Sequence, residues 1–108
     1  MTRCTIEEAQ RVIALLSPVA HGQGYMLALY GSVLTRGYGR DIDVIAVPWR
    51  PGAASPEELI RVLCTQGFES PEVGRRGAMS TYATVIIEKQ TGLPIDLQIR
   101  EVPRLLTI

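Results

Sequence analysis

The chain has only three aspartates, Asp41, Asp43 and Asp96, and each belongs to a run of otherwise apolar residues. Asp41 and Asp43 open the stretch Asp41-Ile42-Asp43-Val44-Ile45-Ala46-Val47. Asp96 lies inside Pro94-Ile95-Asp96-Leu97-Gln98-Ile99. Both runs are short and rich in β-branched residues, so both read as strands. Alternate side chains of a strand share a face. Asp41 and Asp43 therefore project together, with Ile42 and Val44 opposite. In the same way Asp96, Gln98 and Arg100 share one face, while Ile95, Leu97 and Ile99 supply a core face. Any fold for this chain has to place these strands in a sheet with one apolar and one acidic side. If the two are neighbours, three carboxylates meet.

The remaining segments fit around that sheet. Thr5-Ile6-Glu7-Glu8 is a capping box, and it opens a helix with an apolar stripe at Ile6, Ala9, Val12, Ile13, Leu16, Val19 and Ala20. Pro18 bends or ends this helix, and Gly22 and Gly24 stop it. His21 falls at its end, where a cationic side chain is most simply a cap. Tyr25 to Tyr30 is a nearly all-apolar run and is expected to be a buried strand. Ser32 to Arg36 allows about one helical turn, closed by Gly37, and Gly37 to Arg40 reads as a flexible loop. After the loop from Pro48 to Ala54, Ser55-Pro56-Glu57-Glu58 forms a second capping box with Pro at the first helical position. Its helix is expected to run to about Gln66 with Leu59, Ile60, Leu63 and Cys64 on one face. Phe68 to Val73 is at most an edge strand because of Pro71. Gly74 to Gly77 reads as a basic loop. Ser80 to Glu88 and Pro94 to Arg100 form an antiparallel hairpin, and the apolar tail from Val102 to Ile108 is expected to pack back on the domain or onto a second copy.

The element order predicts one α/β (α+β) domain over residues 1–108: a small mixed sheet with helices packed on one face. The length supports one modest core. Eleven basic and eleven acidic residues cancel, so no global field draws nucleic acid or an anionic membrane. No apolar run approaches the ~20 residues that span a bilayer. Cys4 and Cys64 fit no metal-ligand spacing and read as free thiols of a cytoplasmic protein.

Three converging carboxylates repel one another unless they hold cations. An all-oxygen donor set suits Mg²⁺ or Mn²⁺ better than zinc. Two such ions serve in-line phosphoryl or nucleotidyl transfer. Gly31-Ser32, at the end of the Tyr25–Tyr30 run, offers the matching phosphate site. The glycine allows close backbone approach, and the serine hydroxyl and first-turn N–H groups can bind an anion. Arg36 and Arg40 lie between the two halves, placed to meet polyphosphate charge.

Gly-Ser, a spacer of eight residues, Asp-hydrophobic-Asp-hydrophobic and a later hydrophobic-Asp-hydrophobic strand resemble the DNA polymerase β-type nucleotidyltransferase superfamily, in size its minimal members. The likeness covers Tyr30 to about Val47 closely and the rest by element order. It implies that Gly31 and Ser32 hold the triphosphate, that Asp41 and Asp43 bind two Mg²⁺ (or Mn²⁺) ions, and that Asp96 joins one ion and activates an acceptor hydroxyl. The implied reaction moves a nucleoside monophosphate from a nucleoside triphosphate to an acceptor, which the residues leave open among RNA, protein and small molecule. Larger members carry a helical domain that grips base or acceptor; a homodimer or a separate helical partner protein would have to replace it. The rival reading is a catalytically inactive nucleotide-binding or protein-interaction module of the same fold.

Simpler readings exist for the individual pieces. Asp-Ile-Asp is common turn chemistry before a strand, Asp96 could pair with Arg100, and Arg36 and Arg40 could be solvated. Arg75 and Arg76 read as a solvated loop ahead of a nucleic-acid or nucleotide contact. Tyr38 and Trp49 offer stacking surfaces for a base, although for Trp49 burial in the core or an interface is simpler. With one lysine, Lys89, there is no Gly-Lys-Ser/Thr loop.

Overall fold

A computed structural model of the chain describes residues 4–77 and 80–101. The elements are β1 (Cys4–Thr5), α1 (Ile6–Gly22), β2 (Tyr25–Tyr30), α2 (Ser32–Arg36), β3 (Tyr38–Gly39), β4 (Ile42–Pro48), α3 (Pro56–Leu63), β5 (Phe68–Glu69), β6 (Arg75–Gly77), β7 (Thr81–Glu88) and β8 (Pro94–Arg100). The main sheet runs β2-β4-β8-β7-β5, with β6 also paired to β7. Among the described residues only β4 and β8 pair in parallel; the other pairs are antiparallel. The chain is thus an α+β fold with a small mixed sheet, as the element order predicts.

The helices form where local chemistry favours them. Thr5 and Glu8 complete a reciprocal capping box at the start of α1, satisfying two amides that have no partner in the helix. The predicted stripe is the buried face: Ala9, Val12, Leu16 and Ala20 are enclosed, with Ile6, Ile13 and Val19 packed beside them. Pro18 lies inside α1 without ending it. Ser55 caps α3, but only one half of the second box forms. Its hydroxyl accepts from the Glu58 amide, whereas the Glu58 side chain turns to Arg61 at 2.6–2.8 Å. That helix ends at Leu63, short of the expected Gln66.

The core lies between the helices and one sheet face. Ile42, Val44 and Ala46 of β4, Ile95, Leu97 and Ile99 of β8, and Tyr82 and Ile86 of β7 are buried there. An ion pair with one buried partner pins the hairpin to α1. Glu88, 3% exposed, accepts two hydrogen bonds from Arg11 at 2.7 and 2.8 Å and one from the Thr91 hydroxyl.

Three expectations need correction. β2 is not buried on both faces; it is the sheet edge, and its Met26 is 61% exposed. Gly37 to Arg40 is not a free loop, because Tyr38 and Gly39 pair with Thr5 and Cys4. Gly74 to Gly77 is not a solvated loop either: β6 joins β7. Arg76 bonds Glu57 at 2.8 Å and Glu101 at 2.7 Å and lies over the Tyr82 ring. Trp49 is 43% exposed rather than buried in the core, and one face of its ring stacks on His21 with ring centres 4.6 Å apart. The predicted packing of Val102 to Ile108 lies outside the described residues. No described helix is long and apolar enough to cross a membrane.

Candidate metal centre

The open sheet face carries the carboxylates. In the parallel β4–β8 pair, Asp43 stands opposite Asp96. Asp41 immediately precedes β4 and, two positions before Asp43, keeps the same side. One carboxylate oxygen from each of Asp41, Asp43 and Asp96 lies within 4.8 Å of the other two. All three residues are half-buried. The predicted cluster is therefore assembled, and by direct strand adjacency.

The segment leading into Asp41 is tied down on both sides. Gly37 closes α2 in the left-handed conformation, its amide donating to the Val33 carbonyl at 2.9 Å. The Gly37 carbonyl accepts from the Ile6 amide at 3.0 Å. The β1–β3 pair and a long contact from the Cys4 thiol to the Arg40 carbonyl, 3.7 Å, hold the next residues.

Gly31 meets the cluster from above. It sits at φ 82°, ψ −158°, a region that residues with a Cβ avoid. A Cβ built on it would fall 2.1 Å from Asp43 Oδ2. The glycine is therefore required by Asp43 itself, a reason beyond the phosphate approach read from sequence. Its carbonyl accepts from the amides of Leu34 and Thr35 at 3.2 and 3.1 Å, which starts α2. Ser32, the first residue of α2, follows directly. Arg36 and Arg40 flank this region, exposed. Neither guanidinium has an ion-pair partner among the described residues, so the fold brings them near without fixing them.

The electrostatics follow from this crowding. Burial, then the charges of Asp41 and Asp96, raise the Asp43 carboxyl above the ordinary carboxylate range. Burial, then the charge of Asp41, does the same for Asp96. Tyr30, paired with Asp43 across β2 and β4, has its phenol pushed up by burial and then by Asp96, Asp43 and Asp41, while a hydrogen bond with Gln98 acts the other way. Tyr30 and Gln98 thus belong to the neighbourhood of the triad. Their shared face with the aspartates was the available signal, but it needed the strand order to be used.

The donor set fits a hard cation. Oxygens around an octahedral ion with ~2.1 Å bonds are about 3 to 4 Å apart, so separations up to 4.8 Å close by small side-chain rotations. A cation would also offset the repulsion that raises Asp43 and Asp96. No protein-family model matches this chain, and no curated protein sequence matches it.

Proposed function

We propose that this chain is a metal-dependent nucleotidyltransferase that transfers a nucleoside monophosphate from a nucleoside triphosphate to an acceptor hydroxyl. The observation that carries the reading is the union of two features: the Asp41–Asp43–Asp96 cluster and the Gly31-Ser32 turn pressed against Asp43. Either feature alone is common. Together they set a cation site beside a phosphate site, the arrangement that polyphosphate chemistry requires.

Asp41 and Asp43 would hold two Mg²⁺ or Mn²⁺ ions, with Asp96 joining one of them. When bound, such ions neutralise charge on the attacking and leaving oxygens. Gly31 and Ser32 hold the β- and γ-phosphates through backbone N–H groups and the serine hydroxyl, aided by Arg36 or Arg40. Asp96, which stands beside both other carboxylates, takes the acceptor proton as general base. The acceptor oxygen then bonds to the α-phosphorus, the bond from that phosphorus to the bridging oxygen breaks, and pyrophosphate leaves. The free thiols of Cys4 and Cys64 suit the reducing cytoplasm.

The test is incubation with α-labelled triphosphates, Mg²⁺ and panels of RNA, protein and small-molecule acceptors. Labelling that disappears in Asp96→Asn supports transfer. Triphosphate binding with no labelling of any acceptor would make the chain a nucleotide-binding module instead.

A further inference from the structure

The two edges of the main sheet are unlike. At one, β5 has two residues, Phe68–Glu69, Pro71 follows, and β6 contributes Arg75 and Arg76. Short strands, charge and proline are the usual protection of an edge against pairing with another chain. At the other edge, β2 has six residues, Tyr-Met-Leu-Ala-Leu-Tyr, with no charge and no proline.

The unused hydrogen-bonding groups of β2 can be identified from register. The Trp49 amide donates to the Gly24 carbonyl at 2.9 Å, so residues 24 and 49 form a hydrogen-bonded pair. Such pairs recur at every second residue of an antiparallel ladder. Met26–Val47, Ala28–Ile45 and Tyr30–Asp43 are therefore the bonded pairs of β2 and β4. The N–H and C=O groups of Tyr25, Leu27 and Leu29 point the other way, and none has a partner among the described residues. These three residues are symmetric about Leu27.

We propose that β2 is a dimerisation strand: two copies of this chain join β2 to β2, antiparallel, about a two-fold axis through Leu27. Leu27 then pairs with the partner's Leu27, and Tyr25 with the partner's Leu29, giving roughly six inter-chain hydrogen bonds. The same register sets Met26, 61% exposed, beside the partner's Ala28, so a long side chain covers a small one. The groove beside the edge is lined by Ala14, Ser17, Pro18, His21 and Met26. It has no acidic, lysine or arginine side chain to oppose a second copy. With zero net charge on the whole chain, two copies approach without mutual repulsion. An axis perpendicular to the sheet keeps the open faces on one side, so both aspartate clusters face the same direction.

The test pairs mass measurement with amide exchange on the full chain and on Met26→Lys, an exposed change that puts a charge at the seam. The wild type is expected at twice the mass of one chain by sedimentation equilibrium. Its Leu27 amide should exchange slower than in M26K by on the order of a hundredfold. M26K should have the mass of one chain and an unchanged circular dichroism spectrum. A monomeric wild type overturns self-pairing and leaves the edge to a strand of another protein. A dimer whose Leu27 amide exchanges freely also overturns it, since that dimer joins elsewhere.

Discussion

Replacing Gly31 by alanine should damage fold and site together. The backbone at φ 82°, ψ −158° costs a residue with a Cβ about 1–3 kcal/mol. The new methyl would lie 2.1 Å from Asp43 Oδ2 and 2.9 Å from its Cγ, far inside contact distance. Asp43 sits in a strand held by β2 and β8, so its side chain has to yield, at a further ~0.5–1.5 kcal/mol for an off-rotamer position. Together these give a loss of roughly 2–4 kcal/mol, or about 10–25 °C in Tm for a domain of this size. The displaced carboxylate also leaves the triad. Gly67 is the matching control: it has φ 94° with nothing within 4 Å of a built Cβ. Gly67→Ala should cost only about 1–2 kcal/mol, the left-handed penalty. Thermal melts with Mn²⁺ titrations of both variants decide the matter. G31A should lose stability beyond G67A and also lose Mn²⁺ affinity, which G67A keeps. Equal melting temperatures, or a G31A protein that binds Mn²⁺ like wild type, would refute the claim that Asp43 lies against Gly31.

Asp43→Asn should raise the Tm of metal-free protein at pH 7, because it removes a charge that burial and two neighbouring aspartates disfavour; a lower Tm would contradict the crowding. Added Mg²⁺ should raise the wild-type Tm at pH 7 and progressively less towards pH 4. Asp43 and Asp96 have raised pKa values in the fold, so they take up protons sooner than ordinary carboxylates as pH falls and compete with the ion; a Mg²⁺ effect independent of pH would count against it. Arg11→Met should cost about 1–2 kcal/mol, less than for a fully buried pair because the Arg11 side chain is 41% exposed. The hydrogen bond from Arg11, then one from Thr91, hold Glu88 below its ordinary value of 4.5. The pair therefore stabilises fully above pH 4.5 and fades below it, so the Tm gap between wild type and R11M should be widest at neutral pH and close as pH falls below 4.5; a gap independent of pH would exclude this role for Glu88.

Sequence and structure agree most where the cause is local. The Thr5–Glu8 box, the stripe of α1 and the alternation in β4 and β8 each depend on neighbouring residues, and each is present. Local signals also placed Asp41 and Asp43 on one side of their strand. They did not reveal that β4 and β8 are parallel with Asp43 opposite Asp96; that follows from long-range packing. β3 and β6 look like loops in the sequence for a related reason. Tyr38-Gly39 and Arg75-Arg76-Gly77 are too short to show a strand period and each ends in glycine, and their pairing is imposed by β1 and β7. In sequence Gly31 reads as a place for a ligand; in the fold a Cβ there would also meet Asp43. The spacing of Gly-Ser and Asp-x-Asp sets the two motifs side by side, but the contact itself is made only when β2 pairs with β4. Tyr30 and Gln98 became visible beside the triad only once β2, β4 and β8 were in order.

The central claim is that Asp41, Asp43 and Asp96 together hold two divalent cations that work with a nucleoside triphosphate. Its most direct test is an electron paramagnetic resonance titration of Mn²⁺ in the presence of a non-hydrolysable triphosphate analogue, for the wild type and for Asp43→Asn. The account predicts protein-dependent binding of two ions per chain in the wild type, lost in D43N. Binding no greater than that of the analogue alone, or equal in both proteins, would contradict it.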